Sequence, residues 1–414
     1  MKRTGKTLVL VLALLAGAAG CEAQGDDPAG ASGMSHAQLR TMIDSLLPPI
    51  ARVSGMEVRR PVGFAMQSRA GARAFIEGEL EKELGSAELD GMERAYKAFG
   101  LLPDTLDLRA MLLDLYEEQV LGYYDPVTDT LFVLDEATAA TAAPVVAHEL
   151  VHALQDQHTD LDSLVARERG NDRQMAAQAA AEGQAMLVMM GVQAAQSSGE
   201  PIDLSALPDL SQLMARAAEA DYSQFPVFQR APRLVKETML FPYVGGVGFV
   251  QALFRARGDG RPPIPFGDLL PQSTEQVLAP GARFLAERDE PTEIELGDAG
   301  AGWRVVYANT LGQLETSILL TEHLGEAASA RGWDGDRYAL LEGTGGEEAL
   351  VWYSVWDDGE AADRVAEGLR SIRRVARVDR LDRDGRPLVR AILASGAVEV
   401  DRVPTVAALT ESAP

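Results

Sequence analysis

Val145-Val146-Ala147-His148-Glu149-Leu150-Val151-His152-Ala153-Leu154 is the stretch on which the reading of this chain turns. Its apolar spacing is helical, and two histidines four apart on a helix project from one face, one turn above the other. Both imidazoles can therefore reach a single ion, and zinc accepts neutral imidazole nitrogens at about 2.1 Å. Glu149 sits about 100° around the helix from His148, so its carboxylate can flank the ion's open position as general base without being a ligand. On this reading Glu149 has no structural duty. The chain holds only five histidines, which makes a chance H-E-x-x-H rare.

A catalytic zinc needs a third protein ligand. The single cysteine, Cys21, is expected to be lipidated and so offers no thiol, and the remaining histidines are His36, His158 and His323. His158 lies just past the helix and does not continue the motif as H-x-x-G-x-x-H. A carboxylate on a second helix is the better candidate. Glu182 stands 30 residues after His152, far enough for a connection and a returning helix, among Ala179-Ala180-Ala181-Glu182-Gly183-Gln184-Ala185. Small neighbours let two helices approach closely, and a mid-helix Gly183, at a cost of about 1 kcal/mol, wants a packing reason. The ligand set read from the sequence is His148, His152 and Glu182, with Asp156 as a residue that can orient an imidazole.

Outside this segment the chain reads as an exported globular protein. Lys2, Arg3 and Lys6 precede an apolar run, Leu8 to Ala16, too short to stay in a bilayer as a spanning helix. Ala18-Ala19-Gly20-Cys21 follows, in the pattern of a bacterial lipoprotein signal in which Cys21 is lipidated and anchors the chain to a membrane of the cell envelope. The 414 residues carry 38 Lys plus Arg against 62 Asp plus Glu, a net charge of −24. Removing residues 1–20 takes three positive charges and brings this to −27. A surface this acidic repels nucleic acid, which is excluded as a partner.

The expected organisation is a signal peptide at 1–20, a flexible tether at 21–34, a larger domain carrying the H-E-x-x-H helix at 35–298 and a smaller α+β domain at 299–414. A helix starts at Ser35 and is ended by Pro48-Pro49. Glu57–Gln67 is extended, and Gly122–Leu134 forms a hairpin around an Asp-Pro turn. Thr141 caps the helix that runs through Gln157, and a second long helix spans Asp172 to Gln196, its methionines filling core. Strands are expected at Trp303–Tyr307, Tyr338–Leu341, Leu350–Trp356 and Leu388–Leu393, with helices around Leu314–His323 and Glu360–Arg373. Gly245-Gly246-Val247-Gly248 lacks the Lys-Ser/Thr of a phosphate loop.

His148-Glu149-x-x-His152 followed by Glu182-Gly183 resembles the gluzincins, the thermolysin-like zinc metallopeptidases. The chain also resembles a family of bacterial exported proteins, through Gly122-Tyr123-Tyr124-Asp125-Pro126, His148 to Gln157, Phe241-Pro242-Tyr243, Ser273-Thr274-Glu275-Gln276 and Gly332-Trp333-x-Gly335-Asp336-Arg337-Tyr338. These segments cover most of residues 57–370. The family pattern has a histidine shortly after Ser-Thr-Glu-Gln, where Ala279 stands here. The resemblance implies a zincin-like α+β fold, a zinc ion and hydrolysis of a peptide or protein substrate. It further implies that Leu131–Leu134 is the edge strand that pairs with substrate, and that Tyr123, Tyr124 or Tyr243 donates to an oxyanion. The rival expectation is a lipoprotein that keeps zinc without catalysis and serves as a binding module.

Overall fold

In the computed structural model, which describes residues 33–394 apart from 165, 167–168, 222–223, 261, 300–301 and 327, together with 406–411, helices dominate the first two-thirds. The order there is α1 (His36–Ser54), β1 (Gly63–Gln67), α2 (Arg69–Phe99), α3 (Leu108–Gln119), β2 (Gly122–Asp125), β3 (Thr130–Leu134), α4 (Ala139–His158), α5 (Leu161–Leu164), α6 (Asn171–Ser198), α7 (Leu210–Asp221), α8 (Pro226–Arg230), α9 (Arg233–Arg257) and α10 (Thr274–Leu278). A strand-rich part follows, with β4 (Thr292–Leu296), β5 (Trp303–Asn309), α11 (Gly312–Leu324), β6 (Trp333–Gly343), β7 (Glu348–Trp356), α12 (Gly359–Arg370), β8 (Val375–Arg383), β9 (Arg386–Ala394) and β10 (Val406–Glu411). The fold class is mixed α+β. The signal segment, Cys21 and the tether up to residue 32 lie outside the described residues. Met34 is already packed: it is buried, and its N–H donates to the Ala137 carbonyl.

Two expected helix limits move. Ser35 opens α1 in a reciprocal capping box with Gln38, but the helix runs through Pro48 and Pro49 to Ser54 and stops at Gly55, φ 71°. The carbonyls that these prolines cannot bond belong to Asp44 and Ser45, both exposed, so water replaces the lost partners while Ile43, Leu46 and Ile50 stay buried on one stripe. The α4 cap is Thr138, not Thr141. The Thr138 side chain accepts from Thr141 N–H, and the Thr141 hydroxyl in turn accepts from Thr138 N–H. From Val145 to Gln155 every residue of α4 is buried.

The small sheet has the order β1-β3-β2, with β1 parallel and β2 antiparallel to β3. The Gly122–Leu134 hairpin is present as β2 and β3. The Leu131–Leu134 strand, however, is central, because β1 arrives from 67 residues upstream and pairs Gly63 with Thr130. It has no open edge; β2 holds that position on the side of α4.

Two long helices cross where glycine permits contact between backbones. A Cβ on Gly183 of α6 would lie 2.1 Å from the carbonyl carbon of Gly246 in α9, and one on Gly246 would lie 2.1 Å from the Ala179 carbonyl oxygen. The packing reason for Gly183 is therefore α9 and not the histidine helix. By length and composition α9 could cross a membrane, yet Phe241, Val247, Phe249, Val250 and Leu253 are buried in the core.

The second sheet is antiparallel, in the order β5-β6-β7-β9-β8, and β4 pairs with β10. Residues alternate between its faces. Tyr338, Leu340, Leu350, Trp352 and Leu393 join the large apolar core that begins at Met34, and Ala339, Leu341, Val351, Tyr353 and Ile392 form a second cluster with Ile294. One core thus runs from the helical region into a face of this sheet.

A polar seam lies along that boundary. Asp336 of β6 is buried and accepts four N–H groups: Leu311 N at 2.9 Å, Gly312 N at 2.8 Å, Trp333 Nε1 at 3.1 Å and Trp352 Nε1 at 3.0 Å. Asp172 at the start of α6 accepts from Thr274 N at 3.0 Å and from the Thr274 hydroxyl. Glu315 of α11 accepts from Tyr96 Oη at 2.9 Å and Asn171 Nδ2 at 2.8 Å. Gly312 has φ 69°, and a Cβ there would sit 1.8 Å from Asp172 Oδ1, so only glycine fits.

Candidate metal centre

The ligand helices α4 and α6 lie side by side in the core, and they bring His148, His152 and Glu182 together as expected. His148 Nε2 is 3.0 Å from Glu182 Oε2 and 3.0 Å from His152 Nε2, and His152 Nε2 is 3.5 Å from Glu182 Oε2. All three side chains are buried. Donors held about 2.1 Å from one tetrahedral ion lie about 3.4 Å apart. The three observed spacings match the edges of such a site, and each donor is of a type that zinc accepts. Three lone pairs converging this closely repel one another until a cation sits among them.

Glu149 lies one residue from the first ligand and is fully buried. Its Oε2 accepts the Tyr124 N–H of β2 at 2.9 Å, while Oε1 has no hydrogen-bond partner among the described residues. The sequence reading gave this carboxylate no structural duty; in fact it ties the edge of β2 to α4. Glu182 Oε1 and His148 Nδ1 are likewise buried without a partner among the described residues. Buried polar atoms are seldom left this way, so three in one place mark a site kept for something else.

The charges follow from burial. Desolvation pushes the Glu149 carboxyl well above the usual carboxylate range, with the nearby Glu182 charge adding to it and the Tyr124 N–H opposing. Burial also lowers His148, with His152 beside it, against the pull of Glu182. For Glu182 burial acts upward, but the two imidazoles outweigh it and hold the carboxylate down to about 2. The site therefore presents an ionised ligand next to a carboxyl that readily holds a proton.

The other expected contributors separate. Asp156 does not orient an imidazole: Asp156 Oδ2 accepts from Tyr124 Oη at 3.1 Å and from Arg60 at 2.7 Å, and Arg60 also bridges to Asp129. The residue that meets His152 is Gln155, whose Oε1 lies 2.7 Å from His152 Nδ1. No sequence signal distinguished this glutamine. Tyr123 and Tyr124 turn their hydroxyls away, to Gln67 and to Asp129 with Asp156. Tyr243 of α9 stays close, its ring centroid 6.2 Å from that of His148. His36 packs on Phe64, His158 Nε2 meets the Glu57 carbonyl at 2.9 Å, and His323 Nε2 meets the Phe99 carbonyl at 2.8 Å. None of these three histidines joins the cluster. Ala279, at the C-terminal end of α10, offers no donor.

Residues 303–411 match a family model described as a domain of unknown function, DUF8575. The match covers β5 to β10 and leaves both ligand helices outside. Comparison with curated proteins and with solved structures gives no match.

Proposed function

We propose that the chain is a zinc-dependent peptidase of zincin type, exported and anchored through a lipid on Cys21, which hydrolyses peptide bonds in a peptide or protein substrate. The observation that carries this reading is the arrangement just described: three buried donors spaced for one ion, and beside them a buried carboxylate with one oxygen uncommitted. Zinc in such a site would acidify water and polarise a carbonyl. His148, His152 and Glu182 hold and orient it. Glu149 Oε1 takes the proton of the attacking water and returns it to the departing amine nitrogen, while Oε2 remains fixed on Tyr124 N–H. Tyr243, whose ring centroid lies 6.2 Å from that of His148, is the candidate donor to the developing oxyanion.

Glu149→Gln tests the proposal. The amide keeps an oxygen to accept the Tyr124 N–H, so zinc content and thermal stability hold. Hydrolysis of casein or of a degenerate peptide library falls by about 10²–10⁴. Phenanthroline abolishes the parent's activity. A zinc-loaded parent that cleaves nothing across broad libraries, or a Glu149→Gln chain as active as the parent, moves the assignment to a zinc-holding binding module.

A further inference from the structure

Gln155 and Gln184 lie behind the metal cluster, both buried. Gln155 Nε2 donates to the Ala181 carbonyl at 2.8 Å and to Gln184 Oε1 at 2.9 Å, and Gln184 Nε2 donates to the Pro263 carbonyl at 3.1 Å. A backbone carbonyl can only accept. The end of Gln155 that faces Ala181 must therefore be its NH₂, which leaves Oε1 facing His152. The same argument at Pro263 turns the Gln184 oxygen toward Gln155. Both amide orientations are set by carbonyls at the ends of the chain of bonds, and the remaining contact has only one sense. His152 Nδ1 must donate to Gln155 Oε1, so a neutral His152 carries its proton on Nδ1 and presents a bare lone pair at Nε2.

From this we infer that Gln155 and Gln184 form a neutral amide relay in which Gln155 presets the tautomer of His152 and the pair fixes the distance between His152 and Glu182. The inference rests on the metal-site reading above. Gln155 is placed for both tasks. It grips the imidazole on its own helix, and it holds α6 at residues 181 and 184, on either side of Glu182. His148 has no counterpart: its Nδ1 meets no acceptor among the described residues. The site is thus prearranged around His152 and Glu182, while His148 meets Glu182 through Nε2 and has no bond at Nδ1 among the described residues to set its tautomer. The relay carries no charge, so it orients the imidazole without adding a third carboxylate to a centre that already holds Glu149 and Glu182. Gln155 and Gln184 are positioning residues, since they act on the ion only through His152 and Glu182.

The test uses the full chain stripped of metal, with ¹⁵N-labelled histidine, at a pH where imidazole is neutral. The relay requires His152 to show a protonated Nδ1 and an unprotonated Nε2 before any metal is added; a protonated Nε2 overturns it. Zinc affinity is then read by competition with a chromophoric chelator. Gln155→Leu is expected to lose 10–100-fold and to let the His152 tautomers mix. Gln184→Met leaves Gln155 anchored on Ala181, so it keeps the tautomer and loses less. A role in general packing alone would leave the tautomer unchanged in both variants and give them similar affinities, which also overturns the relay. If Gln155→Leu does not fold, the parent tautomer and Gln184→Met still decide. A parent that binds no zinc defeats the metal reading, and in that case the tautomer still settles the relay.

Discussion

Two places in this molecule bury carboxylates, and they treat them in opposite ways. At the seam between the helical region and the second sheet, each oxygen of Asp336 accepts two N–H groups, and Asp172 and Glu315 are bonded by hydroxyl, amide and backbone donors. At the candidate metal centre, Glu182 and Glu149 each keep an oxygen with no partner among the described residues, and Glu182 Oε2 lies 3.0 Å and 3.5 Å from imidazole nitrogens. Saturated carboxylates hold elements together. Under-satisfied ones beside histidine lone pairs are arranged for a cation. Burial alone does not separate the two cases; the count of donors does.

The same edit, carboxylate to amide, tests the contrast at three positions. Its largest expected effect is at Asp336. Asp336→Asn turns an NH₂ toward donors that were bonded, and urea denaturation should show a loss of about 3 kcal/mol or more. At Glu182 the effect should fall on the metal instead. Glu182→Gln should lower zinc affinity at least tenfold while changing the stability of the metal-free chain by less than about 1 kcal/mol. If the metal-free Glu182→Gln chain unfolds as readily as Asp336→Asn, the two regions are not different in kind.

Asp172→Asn gives the smallest effect, and it is read in pH. Burial raises the Asp172 carboxyl from 3.8 to about 7, against the Thr274 bonds, and raises Glu315 from 4.5 to about 8, against Asn171 and Tyr96. Below the unfolded values both states carry the protons. Above them the unfolded chain releases protons that the folded chain retains, so these groups' contribution to stability falls as pH rises through about 4 to 8. Asp172→Asn resembles the protonated acid and keeps an oxygen for Thr274. Calorimetric melting temperatures across that range should therefore decline less steeply in the variant than in the parent.

The contrast also explains what could be read from the sequence. The His148, His152 and Glu182 cluster was legible because H-E-x-x-H has a fixed helical geometry and Glu182 stands in a run of small residues. Gln155 and Gln184 gave no signal, since a neutral amide on a helix reads as surface until its partners are known. Asp156 drew attention because it is charged and one turn from His152; its carboxylate is taken by Arg60 and Tyr124. The Ser-Thr-Glu-Gln and Gly-Trp-x-Gly-Asp-Arg-Tyr segments were recognisable, but their place at the seam was not. In the fold, strands with apolar alternation stood out. The strand β8, Val-Ala-Arg-Val-Asp-Arg-Leu-Asp-Arg, did not, because it is a sheet edge on which every residue is exposed or only partly buried, with no buried stripe. Helix α9 was hidden by Pro242 and the glycines at 245, 246 and 248, residues of poor helix propensity that tertiary packing overrides.

The crossing of α6 and α9 gives those glycines a further meaning. Glu182 stands next to the contact point, so α9, which contributes no ligand, acts as a spacer that gauges how far the carboxylate reaches toward the histidines. The tolerance of that gauge is one hydrogen atom. A methyl group at 183 or 246 would have to wedge the helices apart, and the displacement would be delivered to a position measured in tenths of an ångström. The chain can thus drift in sequence over much of its surface, while two residues without any functional group stay as restricted as the ligands themselves.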